Sequence, residues 1–116
     1  MKRKLSESQK RRLHELKERN KTIDKLIIEK IEDHVQPLPL NLILEARFNS
    51  VMKKAIYLEG EIAYLNEEDG QFVEGQIEVK KRRLDIMRGQ LHELQNVGEM
   101  LNKYDLLGRG FEIVRR

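Results

Sequence analysis

Two stretches of this chain repeat apolar residues at alternating intervals of four and three, and the two repeats fit one another. The first runs Leu44, Phe48, Val51, Ala55, Leu58, Ile62, Leu65. The second runs Val73, Ile77, Lys80, Leu84, Met87, Leu91, Leu94, Gly98, Leu101. That interval keeps one face of a helix turned toward a neighbour, as in the seam of a coiled coil. Glu67-Glu68-Asp69-Gly70 lies between the repeats and reads as a turn. A short turn brings consecutive helices together antiparallel. Facing positions then have numbers with a constant total. Here the total is 138 or 139 in every layer, from Leu65 opposite Val73 to Leu44 opposite Leu94. Residues 41–105 are therefore expected to form an antiparallel coiled-coil helical hairpin within an all-α fold.

A further helical segment precedes the hairpin. Ser6 and Gln9 have the spacing of a capping box, in which each side chain accepts a hydrogen bond from the other residue's free backbone N–H. Leu13, Leu16, Ile23 and Ile27 follow on one face, with Asn20 filling the gap in the heptad. Pro37 and Pro39 end this segment, since proline lacks an N–H and clashes with the preceding turn. The spacing predicts helices over 6–34, 41–66 and 72–105. The organisation is then a long basic amphipathic N-terminal helix (1–36), a proline linker (37–40), the hairpin (41–105) and a short irregular tail (106–116). The apolar end of the first helix is expected to meet the overhang of the third, leaving its upstream part projecting.

Composition narrows the function. The chain has 116 residues, enough for one domain. With no cysteine it has no disulfide framework, thiol nucleophile or cysteine metal site. No apolar run is longer than that of Ala55 to Leu58, far too short to span a membrane. The basic N-terminus has no apolar signal core, so a cytoplasmic protein is expected. His14, His34 and His92 are scattered without metal-ligand spacing, and no phosphate loop or nucleophile elbow occurs. No enzyme activity, metal or cofactor is expected.

Three sets of residues are candidates for interaction. Residues 1–25 hold ten Lys or Arg against four acids, while residues 26–116 hold 13 against 16. The excess centres on Lys2, Arg3, Lys4, Lys10, Arg11 and Arg12, which could contact a nucleic-acid phosphate backbone by releasing counterions. No aromatic residue is interleaved with them. The stripe Leu13, Leu16, Asn20, Ile23 and Ile27 is a candidate homodimer interface, with Asn20 pairing with its copy to fix register. Glu67, Glu68 and Asp69 stand at the hairpin tip. In that architecture the chain resembles Gre-type transcript-cleavage factors, which insert an acidic coiled-coil tip into the RNA polymerase secondary channel and help hold Mg²⁺. The resemblance covers about half the chain. It does not extend to the family's tip motif or to its second globular domain.

Other positions carry weaker signals. Lys80 sits on the seam, where its stem can pack while its amine reaches water. Arg82 and Arg83 are expected to pair with acids of the second helix such as Glu59. Gly60, Gly75 and Gly89 share one outer heptad position, where a missing side chain permits close approach. The tail Phe111-Glu112-Ile113-Val114 could add a strand to a partner or fold back as an apolar plug. Taken together, the residues point to a non-enzymatic oligomeric adaptor or regulator, such as a phage or bacterial accessory protein, acting on itself and on an unidentified protein partner and not on a membrane. The rivals are a nucleic-acid-binding regulator that uses the basic helix, and a polymerase secondary-channel factor that uses the acidic tip.

Overall fold

The computed structural model describes residues 2–32, 40–68 and 72–103. Helix α1 spans Glu7–Glu32, α2 spans Leu40–Asn66 and α3 spans Val73–Lys103. No strand occurs among the described residues. The proline positions 37–39, the turn residues Asp69 and Gly70 and the tail 106–116 lie outside them.

Helices α2 and α3 form the expected hairpin. Ala55, Leu58, Ile62 and Leu84 are buried together, with Ile77, Met87 and Leu91 packed against them. These are the seam residues of both repeats, brought face to face. Lys80 is buried on the seam, and its amine lies 3.5 Å from Glu61. Its neighbour across the hairpin is therefore a carboxylate as well as the Leu58 layer.

Helix α1 departs from expectation. It packs on α2, and among the described residues it does not meet α3, so α2 is the central element. The second side of α2 carries Ile56, which is buried with Leu13 and Leu16 of α1, while Leu5, Met52 and Tyr57 pack around them. Ile23 is fully buried at 0% exposure. The upstream part of α1 is thus covered by its own chain and does not project. Val97, on the α3 overhang, is exposed at 41%. The two helices run antiparallel, because Gln9 meets Glu59 while Asn20 meets Asn49.

The start of α1 is fixed by its capping box. The Ser6 N–H donates to Gln9 Oε1 at 3.0 Å, and the Gln9 N–H donates to Ser6 Oγ at 3.1 Å. Ahead of it, residues 2–5 run along α2. The Lys4 backbone N–H donates to the Gly60 carbonyl at 2.9 Å. A Cβ at Gly60 would fall 2.5 Å from Leu5 Cδ2 and 3.2 Å from Arg3 Cβ, so glycine is what lets this segment lie so close. Apart from the adjoining backbone of α3, no atom of the described residues comes within 4 Å of the corresponding point at Gly75 or Gly89.

Candidate functional site

The basic arm is stapled to the hairpin. Arg3 lies over the Tyr57 ring, 4.2 Å from its centroid, and Lys2 lies 5.9 Å from the Tyr64 centroid. The Lys4 amine pairs with Glu67 at the tip. Lys10 pairs with Glu7 at 3.5 Å and Arg12 with Glu15 at 3.7 Å. Arg11 is exposed. Five of the six candidate phosphate contacts therefore already have a partner in their own chain. The arm nonetheless acquires aromatic neighbours that its local sequence lacks, because α2 supplies Tyr57 and Tyr64. Lys17, 5.8 Å from the Tyr57 centroid, completes a cationic ring around that phenol. The Tyr57 hydroxyl is held below the usual phenol range, first by Lys17 and then by Arg3 and Lys53, against an opposing effect of burial.

The proposed dimer stripe is occupied within the chain. Leu13, Leu16 and Ile23 are buried and Ile27 is half-buried. Asn20 accepts a hydrogen bond at 3.1 Å from the Asn49 amide, which is itself buried. The expected Asn20 pairing between copies is replaced by an Asn20–Asn49 pairing between α1 and α2. One turn along, Arg19 grips Glu45 with two hydrogen bonds of 2.6 and 3.1 Å. The hydrogen bond to Glu45 raises the Arg19 pKa above its ordinary value.

At the tip, Glu67 is engaged by Lys4 and Glu68 is exposed, while Asp69 lies outside the described residues. Among the described residues no group of three or more His, Asp or Glu is placed to hold a metal ion. No described helix is long and apolar enough to cross a membrane. An open groove between α2 and α3 is lined by Glu59, Ala63, Asp85 and Arg88 among others. Its charges answer one another: Arg88 lies 3.7 Å from both Glu59 and Asp85. Arg82 pairs with Glu78 on its own helix at 2.8 Å, so it is Arg88 that reaches Glu59.

The remaining feature was not anticipated. Phe72, Val79, Ile86 and Met100 stand 77%, 49%, 63% and 57% exposed. They fall on one line of sevens, with Glu93 at its fourth place, on the side of α3 turned away from α2. The signal was present in the sequence, but it was masked by the stronger seam repeat on the same helix.

Comparison with protein-family models, curated proteins and solved structures finds no match.

Proposed function

We propose that this protein is a non-enzymatic helical adaptor or regulator that acts by presenting a helical surface to other protein chains. The observation that carries the reading is the apolar line Phe72, Val79, Ile86, Met100 on the outside of α3. Large apolar side chains aligned and exposed on one helix face mark a protein-binding surface. The short, highly charged, cysteine-free chain suits an accessory protein of a phage or bacterium working in the cytoplasm. The test is photo-cross-linking in cells, with a benzophenone side chain placed at position 86 or, as control, at the exposed His14 of α1. Protein adducts are expected at 86 and not at 14. Absence of adducts at 86, or equal adducts at both sites, overturns the reading.

A second reading has its own observation. Lys2, Arg3 and Lys17 beside Tyr57 and Tyr64 combine cations with aromatic rings, the pairing used to hold single-stranded nucleic acid. Deleting the arm is a poor test, because residues 3–5 pack on Gly60. Lys10→Glu with Arg11→Glu reverses two exposed charges and leaves those contacts in place. If the basic face binds nucleic acid, gel-shift affinity falls in the double variant and the salt dependence becomes shallower. Equal shifts for both proteins, or none, reject it.

A further inference from the structure

We infer that the outer face of α3 pairs antiparallel with the same face of a second copy, Ile86 of each chain seating on Gly89 of the other. This deepens the adaptor reading by naming the occupant of the exposed face. The face has the make-up of a second coiled-coil seam. Phe72, Val79, Ile86, Glu93 and Met100 form one line of sevens, and Gly75, Arg82, Gly89 and Asn96 follow three residues behind. All nine are exposed. Such interleaved lines are what one helix offers another in a heptad seam.

The occupant follows from complementarity. In an antiparallel pair, each member of the first line faces a member of the second line on the other helix. The register that matches size to gap and charge to charge has facing position numbers that total 175, with Phe72 beyond the four matched layers. Ile86 then faces Gly89 and Met100 faces Gly75, so a large side chain meets an empty place. Glu93 faces Arg82, so opposite charges meet. Val79 faces Asn96. Two-fold symmetry repeats each contact. The parallel arrangement sets Arg82 against Arg82 and Glu93 against Glu93, and leaves the glycines facing each other.

The glycines support the same conclusion. A glycine inside a helix is disfavoured relative to alanine, yet α3 carries two on this line, 14 residues apart. Space for a Cβ at both is open. The chain already uses an outward glycine as a seat for leucine, where Leu5 rests on Gly60. Gly75 and Gly89 offer the same seat and lack only the side chain.

The absence of native cysteine allows a direct test on the full chain. Positions 79 and 96 lie about 25 Å apart along one helix at 1.5 Å per residue, too far for a disulfide within a chain. Val79→Cys with Asn96→Cys should oxidise to a covalent dimer, and neither single variant should. A dimer from Val79→Cys alone indicates parallel pairing and overturns the inference, as does no cross-link in the double variant. Solution mass of the unmodified chain gives an independent measure. Two copies are expected at high micromolar concentration, with Arg82→Glu weakening association about tenfold and Glu93→Arg added to it restoring most of the loss. A single-copy mass overturns the pairing. Adducts to other proteins at position 86 would then leave the adaptor reading standing without the dimer. A dimer indifferent to Arg82→Glu overturns the chosen face.

Discussion

Helix α2 is covered on two sides, and the two covers differ in kind. Toward α3 it presents Ala55, Leu58 and Ile62, which mesh with Leu84 and the half-buried Ile77, Met87 and Leu91. Toward α1 it presents a smaller apolar patch around Ile56, extended at either end by polar latches. These are Gln9 to Glu59, Asn20 to Asn49 and Arg19 to Glu45. The aliphatic side draws its stability from area and tolerates small shifts. The latched side adds direction, because each latch is satisfied at one position of α1 along α2, and breaking the one at buried Asn49 strands its amide.

The largest effect should come from the aliphatic side. Leu58→Ala leaves a cavity at the centre of the α2–α3 cluster and should cost about 2–5 kcal/mol in thermal or denaturant unfolding. An unchanged melting temperature would place Leu58 outside the core. The latched side should respond to partnering rather than to size. Asn20→Leu strands the buried Asn49 amide and should cost about 1–3 kcal/mol. Replacing both residues by Leu should cost less than the single change, a non-additivity that a double-mutant cycle reads directly. Additive losses would show that the two amides do not depend on each other.

The glycines sharpen the contrast further. Gly60→Ala crowds Leu5 and Arg3 and should destabilise by about 1–3 kcal/mol, as overpacking does. Gly89→Ala meets no other part of the described residues, and at high dilution should stabilise by up to about 1 kcal/mol through helix propensity. Equal signs in denaturant titrations would remove the distinction between a filled and an open outer position.

The smallest effect is a titration. The Tyr57 phenolate is favoured by Lys17, Arg3 and Lys53 in the folded protein. Its folded pKa is depressed, so its contribution to stability appears as pH rises through that value and is complete above the unfolded value of about 10. Absorbance of the folded chain near 295 nm should show one phenol ionising early, and Tyr57→Phe should remove that step. Persistence of the early step would assign it to another tyrosine.

The hairpin was readable from sequence because its signal is periodic and aliphatic, and a seven-layer register leaves few alternatives. The capping box was readable because it is local. The seat of α1 was not, because the second side of α2 is written in Glu45, Asn49, Glu59 and Gly60. Those residues look like solvent-facing positions until their partners on α1 are known. The stripe Leu13, Leu16, Ile23 was recognised as needing a cover, and the cover proved to be within the chain. For the arm, the missing aromatic groups stand more than fifty residues downstream, at Tyr57 and Tyr64, and only the fold unites them with Lys2 and Arg3.

The dependence of α1 on α2 has a consequence for how the chain emerges during synthesis. Leu13 precedes Ile56, the residue that buries it, by 43 positions. At 5–20 residues per second that is about 2–9 s during which the stripe of α1 has no cover. An isolated helix of this kind is marginal in water, so the nascent segment waits largely unfolded. Residues 1–25, the part that waits longest, hold ten Lys or Arg against four acids. Those cations keep the waiting segment hydrated until Tyr57, Tyr64 and Glu67 take up Arg3, Lys2 and Lys4.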